Sequence, residues 1–414
     1  MSKQAKKHKF AFVKVQKMIS EELIVVSEKK IAESSALFIR YMEAVVPWES
    51  QLIGIKGARG VGKTTLLLQH LRKHNLLYPK GLYLSLDDLF FTQNNLVDTA
   101  VYFRKNGGKV LVLDEVHKYP TWAKEIKVLY DRYTDLQIIF TGSSIIDMAR
   151  QEGDLSRRAL LFTMQGLSYR EYLKIVHGLT LPVLRLDDIL ANRYKELFPE
   201  DFLPLQHFSA YLEKGYYPFT LKDSANYFQR LRQLSRQVVE YDMAELKGFD
   251  IRHARKMATL LYIIAQQVPF TPNLTKLAEK AGIHRNTITS YLYFLEDAQL
   301  INLLQSPGIG VGRLQKPEKV FLENPNLAYA LADRRPEIGA IRETFFYNQI
   351  RAHHRVNFPE KGDFLVDDTW TVEVGGRNKN LRQLEGVSNA VVVSDDLEWG
   401  FAGHVPLWTF GMMY

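Results

Sequence analysis

Four short apolar runs punctuate the first part of the chain. Gln51 to Lys56 (QLIGIK), Gly81 to Leu86 (GLYLSL), Lys109 to Leu113 (KVLVL) and Leu136 to Phe140 (LQIIF) are each of strand length. The third is continuous rather than alternating, as a strand covered on both faces should be. Directly after the first, TTLLLQHLRKHN carries leucines at helical spacing, so strand gives way to helix and the region reads as α/β. Farther on the pattern changes. From Leu197 to about Phe249 aromatic and aliphatic residues recur at helical spacing, with turn signals at Gly215 and Pro218, which predicts a helical lid or connector. Between Asp250 and Ser306, Thr271-Pro272 precedes one helix, Gly282 marks a tight turn and an amphipathic second helix follows, the pattern of a helix-turn-helix. Its core would be Leu277, Ala278, Ile283, Ile288, Leu292 and Leu295. From about Gln315 to Tyr414 a helix around Glu343 (IRETFFYNQI) is followed by two strand-like runs, KGDFLVDD and TWTVEVGG.

A chain of 414 residues, 46% hydrophobic and 12% aromatic, can bury several cores, and at least three units are expected. It has no apolar run of about eighteen residues, and MSKQAKKHKF lacks the apolar stretch and small-residue cleavage site of a secretory signal. A cytoplasmic protein without membrane association is therefore expected. The absence of cysteine excludes disulfides and thiolate metal sites and agrees with a reducing compartment. A net charge of +8 favours anionic partners. Part of that excess lies between Lys3 and Lys17, where a solvated basic tail is the alternative.

The chemistry concentrates where the first strand meets its helix. Gly57-Ala58-Arg59-Gly60-Val61-Gly62-Lys63-Thr64, followed by Thr65, matches GxxxxGK and a hydroxyl residue in the strand-to-helix context that motif requires. A triphosphate must be wrapped by main-chain N–H groups, and glycines let the backbone curl close without Cβ clashes. Lys63 would bridge the β- and γ-phosphates of ATP, Thr64 would ligate Mg²⁺, and the helix N-terminus would add its dipole. The third strand delivers Asp114-Glu115 at its C-terminal end, a Walker B pattern. Asp114 would hold the Mg²⁺ and Glu115 would orient and deprotonate the attacking water. Around this centre lie residues with two readings each. Asp87 and Asp88 either approach Mg²⁺ water or cap a turn. Ser143 and Ser144 either sense the γ-phosphate or cap the next helix. Arg157 and Arg158 either act as arginine fingers, in the same chain or a neighbouring copy, or form a solvated or salt-bridged surface pair.

The segment Gly57 to Tyr172, with LDEVHKYPTW, FTGSS, GDLSRRA and GLSYREYL in that order, resembles the AAA-like P-loop ATPases widespread in bacteria and archaea. The resemblance runs along the whole chain. It implies a parallel sheet with the P-loop strand central, followed by a helical segment, a winged-helix region and a C-terminal domain related to restriction endonucleases. It transfers Lys63, Thr64, Asp114, Glu115 and the two arginines position by position. His117, Tyr119, Pro120 and Trp122 belong to the same pattern and are expected to pack the following helix onto the core. The expected organisation is a basic N-terminal segment (1–35), a P-loop ATPase domain (36–195), a helical connector or lid (196–250), a winged helix-turn-helix (251–314) and a small α/β restriction-endonuclease-like domain (315–414).

In the helix-turn-helix, His284, Arg285, Asn286, Thr287 and Ser290 would face solvent near the start of the second helix, where arginine and asparagine can read base edges. The same helix carries Tyr291, Tyr293 and Phe294 and a single arginine, so double-stranded DNA and a docked protein are both expected partners. In the last domain the resemblance places Glu343, Asp363 and Glu373 at the acidic positions of a nuclease core, where three carboxylates would converge on Mg²⁺. The lysine expected two residues after Glu373 is replaced by Gly375, which removes a cation from the reaction centre unless Arg377 or Lys379 reaches back. A structural or DNA-docking relic of a nuclease fold is accordingly expected.

Overall fold

The computed structural model describes residues 19–34, 38–142, 155, 157–221, 223–242, 251–308, 316–376, 379, 384–401 and 403–414. By contact the chain divides into two compact units, Met1–Gly57 with Gly62–Met164, and Ala58–Val61 with Gln165–Tyr414.

In the first unit the four apolar runs become β1 (Leu52–Lys56), β2 (Gly81–Ser85), β3 (Val110–Asp114) and β4 (Gln137–Gly142). A fifth strand, β5 (Leu160–Thr163), was not anticipated. All neighbours pair in parallel, in the order β2-β3-β4-β1-β5. The P-loop strand β1 is thus interior but next to the edge, not in the middle. Every residue of β3 is buried, as its unbroken apolar run demands. The unit's helices begin with α1 (Glu21–Glu33), whose Ser20 cap accepts a hydrogen bond from the Leu23 amide. α1 packs on β2, where Ser27 Oγ accepts the Tyr83 amide at 3.0 Å. Four helices follow: α2 (Met42–Val45), α3 (Lys63–Lys73), α4 (Leu96–Lys105) and α5 (Trp122–Arg132). Leu82, Leu84, Leu111, Leu113, Ile138 and Phe140 of the sheet join Phe103, Trp122, Ile126 and Leu129 in one core. Each such side chain contributes roughly 1.5–3 kcal/mol when fully buried. The lysines between Lys3 and Lys17 lie outside the described residues.

The second unit starts with α6 (Tyr169–His177), capped by a reciprocal Ser168–Glu171 box. The Ser168 hydroxyl and Arg170 Nε both donate to the Tyr414 carbonyl, at 2.6 and 2.9 Å, which fastens the end of the chain to this helix. α7 (Phe208–Lys214) and α8 (Tyr227–Gln237) follow, then α9 (Ile251–Ala265), α10 (Leu274–Ala281) and α11 (Arg285–Asp297). Gly282 closes α10 in the left-handed region at φ 63°, which permits the tight turn into α11. The six residues expected as the core of this helix pair are all buried, and Tyr291 joins them, its hydroxyl 2.6 Å from His253 Nδ1. An antiparallel pair, β6 (Ile301–Leu304) and β7 (Lys319–Leu322), comes next.

After α12 (Pro325–Leu331) and α13 (Ile338–Ile350) the chain forms a second sheet. Its strands are β8 (Val356–Asn357), β9 (Phe364–Val366), β10 (Trp370–Gly375), β11 (Ala390–Ser394) and β12 (His404–Pro406). The order is β12-β11-β10-β9-β8, parallel across the first three and antiparallel from β10 to β8. A buried tyrosine and asparagine network ties distant segments of this unit together. Asn326 accepts the Tyr216 amide at 2.8 Å and donates to the carbonyls of Tyr211 and Leu212, while Asn324 donates to the Tyr217 hydroxyl at 3.1 Å. Buried polar groups cost stability unless paired, so this network fixes the path of the chain as well as packing it.

Candidate nucleotide site

β1 ends at Lys56 and α3 begins at Lys63, so the glycine-rich motif forms the turn between them. Gly60 and Gly62 take φ values of 84° and 102°, which only glycine adopts without strain, and Gly62 is the N-cap of α3. A Cβ on Gly57 would fall 2.4 Å from the Met164 carbonyl oxygen, just past β5. The loop therefore can pass there only as glycine. Ala58 and Val61 are buried, Arg59 is half-buried and Thr65 is exposed. Lys63 is buried, and its Nζ donates to the Gly57 carbonyl at 2.7 Å, so the ammonium is already folded back over the loop.

The Walker B carboxylate meets this loop directly. Asp114 Oδ2 accepts Thr64 Oγ1 at 2.7 Å and the Tyr83 hydroxyl at 2.8 Å, while its Oδ1 accepts the Glu115 amide at 3.0 Å. Burial pushes the Asp114 carboxyl above its ordinary range, against the hydrogen bonds from Thr64 and Tyr83 that pull it down. The same burial and the neighbouring Asp114 charge push the Tyr83 phenol up. Glu115 takes a left-handed φ of 51°, unusual for a residue with a side chain, at the point where β3 turns into the short helical turn Val116–Lys118. Its Oε2 lies 3.4 Å from Nε2 of the buried His117.

A Mg-nucleotide suits this donor set. The glycine turn leaves no Cβ to block close approach to the main chain, a buried lysine lies across it, and a hydroxyl and a carboxylate in mutual contact are the hard oxygen ligands Mg²⁺ takes. The structure therefore brings Gly57, Gly60, Gly62, Lys63, Thr64, Asp114 and Glu115 into one place. The flanking candidates divide. Asp88 caps the helical turn Leu89–Thr92 by accepting the Phe90 amide at 2.8 Å, and Asp87 accepts the Ser85 hydroxyl. Arg158 forms a two-pronged pair with Asp131, Nε to Oδ1 at 2.8 Å and Nη2 to Oδ2 at 3.1 Å, while Arg157 is exposed. Ser143, Ser144 and Asp154 lie outside the described residues. Trp122 is buried and packs on Phe140 as its packing role requires, and Tyr119 donates to Glu125 at 3.0 Å. Tyr83, and His117 as a partner of Glu115, are contacts that sequence reasoning missed. A lone tyrosine in a leucine-rich strand was the one available hint for the first.

In the second unit the three acids, Glu343 on α13, Asp363 just before β9 and Glu373 on β10, each lie against a lysine. Lys319 Nζ, on β7, lies 3.0 Å from Glu343 Oε2 and 3.1 Å from Asp363 Oδ1. Lys379 Nζ lies 2.6 Å from Glu373 Oε1. It reaches back across Gly375, where a Cβ would fall 2.9 Å from Lys379 Cγ, so the residue that replaces the expected lysine is also what lets another one through. Burial pushes the Glu343 carboxyl up, with the Asp363 charge adding to it and Lys319 opposing. Arg377 lies outside the described residues.

A glycine loop between an interior parallel strand and its helix, with an acidic pair ending a buried strand, is the arrangement of a P-loop nucleotide-binding domain. The family model described as an AAA domain matches residues 49–173, and one described as a domain of unknown function (DUF8612) matches residues 205–337. The chain is similar to the uncharacterized protein MJ1637 of Methanocaldococcus jannaschii, 28% identical over 293 residues, which is 67% of this chain and 62% of that one. It thus spans somewhat under two thirds of that relative's length. Among solved structures it resembles the Walker-type ATPase PABY2304 of Pyrococcus abyssi, with TM-score 0.41 and 13% identity over 73% of this chain and 93% of the other. AMPPCP-bound DnaA from Aquifex aeolicus gives TM-score 0.24 and 16% identity over 67% of this chain and 89% of the other. Neither structural likeness is close enough to bear on how this chain works.

Proposed function

We propose that this chain binds and hydrolyses Mg-ATP at Gly57 to Thr65 and passes the nucleotide state to its helical and C-terminal segments. The observation that carries the reading is the contact of Thr64 with Asp114, which unites the phosphate loop and the Walker B strand around one carboxylate. Lys63 would exchange the Gly57 carbonyl for phosphate oxygens, and the main-chain N–H groups of the loop would wrap them. Thr64 and Asp114 would hold Mg²⁺, which would offset the negative charge of the phosphates. Glu115 would take the proton of the attacking water. Arg157, exposed, is the arginine better placed to serve a neighbouring copy in an oligomer, since Arg158 is engaged by Asp131.

Lys63→Ala removes a charge-assisted contact and is expected to weaken ATP binding about tenfold to a hundredfold, read by calorimetry or a fluorescent nucleotide. Binding within twofold of the parent would remove the site from the account. A second reading, a nucleotide-gated switch with slow turnover, is favoured by the contact of Glu115 Oε2 with His117, which draws one oxygen of the proton acceptor toward a buried ring. Turnover with and without duplex DNA separates the two. Stimulation favours a machine acting on DNA through a winged helix over 251–314, and tight binding with negligible turnover favours the switch. For the C-terminal domain we assign a structural or docking role rather than ATP-assisted cleavage, because Lys319 and Lys379 already engage the three carboxylates.

A further inference from the structure

His70 and His74 stand four residues apart at the end of α3, so their imidazoles share one face of the helix, with ring centroids 4.6 Å apart. Glu43, on the short helix α2, faces both. Its Oε1 lies 3.3 Å from His70 Nδ1 and 3.7 Å from His74 Nε2, and one donor atom from each of the three residues lies within 4.8 Å of the others. The side chains of Glu43 and His70 are only 5% and 4% exposed, while that of His74 is 48% exposed, so the cluster is buried on one side and open on the other.

Lys73 also reaches Glu43 Oε1, at 3.1 Å, and an ion pair near a helix C-terminus would be a sufficient account of that oxygen. It leaves the second oxygen unexplained. Glu43 Oε2 is buried and accepts no hydrogen bond among the described residues, a condition that buried carboxylates rarely meet. Burial pushes this carboxyl up, while its contacts with His70 and Lys73 outweigh that and hold the group below its ordinary range. The surroundings fix the donors further. Trp48 stacks on His70 with centroids 3.9 Å apart, and its indole N–H donates to the Glu43 carbonyl at 2.9 Å. Trp48 thus fixes the His70 ring and the backbone from which Glu43 projects.

We propose that Glu43, His70 and His74 bind a divalent transition-metal ion of the zinc class, with water completing the coordination. Two imidazoles and one carboxylate suit zinc and its neighbours, whereas magnesium and calcium prefer oxygen donors throughout. Donor atoms around tetrahedral zinc lie about 3.3 Å apart, so the two distances to Glu43 need little change and rotation of the half-exposed His74 closes the set. Lys73, whose side chain is 49% exposed, would swing into solvent, so that Glu43 could offer both oxygens to the ion and the unpartnered Oε2 would gain a ligand. The ion would staple α2 to the last turn of the helix whose first turn carries Lys63 and Thr64. At about 1.5 Å per residue it would sit more than 10 Å from that end, so its role is structural and separate from nucleotide chemistry.

The test uses the full chain, without a histidine tag, stripped with chelator and titrated with Zn²⁺ and with Co²⁺ as a visible-absorbing probe. One equivalent should bind, the thermal midpoint should rise with Zn²⁺ and not with Mg²⁺, and Co²⁺ should show d–d bands of a nitrogen and oxygen set. His74→Ala, at a half-exposed position, should keep the fold by circular dichroism and bind Zn²⁺ at least about tenfold more weakly, with the thermal shift lost. Glu43→Gln, nearly the same shape, should do the same. Absence of stoichiometric binding by the parent chain, or binding that both variants leave unchanged, overturns the proposal.

Discussion

Asp114 has its two oxygens occupied by three donors, Thr64, Tyr83 and the Glu115 amide, and this is how a carboxylate can be buried beside a phosphate loop. Thr64 and Glu115 were legible from the chain because the motif and the acidic pair fix them by covalent spacing. Tyr83 and His117 were not, because their contacts with the two acids exist only once strand and turn have been folded into place. A second buried acid behaves differently. Glu323 accepts Asn348 Nδ2 at 3.1 Å and sits 3.7 Å from Arg351, yet burial pushes its carboxyl up to about 7. In the unfolded chain it ionises near 4.5, so between those values the unfolded state has lost a proton the folded state keeps. Stability should therefore fall as pH rises from about 4.5 to about 7 and level off above, by on the order of 3 kcal/mol from this group. Glu323→Gln should flatten that part of the curve in urea denaturation. An unchanged slope would show that the carboxyl ionises normally in the folded chain.

Among the elements, β1 to β4 were readable as strands because each is a short apolar run whose burial on both faces leaves no polar alternation to obscure it. β5 was passed over. It is an edge strand with exposed and half-buried positions directly after two arginines, and an apolar stretch of that length does not by itself distinguish strand from helix. The turn between α10 and α11 was legible from Gly282, and the burial of Ile288, Leu292 and Leu295 follows from their helical spacing. In the C-terminal segment Glu343, Asp363 and Glu373 were singled out by resemblance, but the shared partner of the first two could not be read from the chain. Lys319 comes from β7, far from both in sequence, and no spacing rule links them. With an ammonium between Glu343 and Asp363 the cluster is expected to show no Mg²⁺-dependent plasmid cleavage, on a gel sensitive to about 1% nicking. Cleavage that is lost in Asp363→Ala would instead make the domain a nuclease.

For the molecule as a whole, a model of an AAA domain matches residues 49–173, and a model of a domain of unknown function matches residues 205–337. No helix among the described residues is long and apolar enough to cross a membrane. On the proposed reading the nucleotide state is passed to the second unit, which holds the α10–α11 helix pair, the β6–β7 strands and the lysine-paired acids Glu343, Asp363 and Glu373. Everything proposed for that unit depends on whether ATP is turned over in the first. The most direct measurement is single-turnover phosphate release by Glu115→Gln beside the parent chain, with ATP affinity measured on both. Loss of the proton acceptor should slow release about a hundredfold or more while affinity stays within about twofold. Release at the parental rate would contradict the assignment of Glu115 and, with it, the account of this site as a hydrolytic centre.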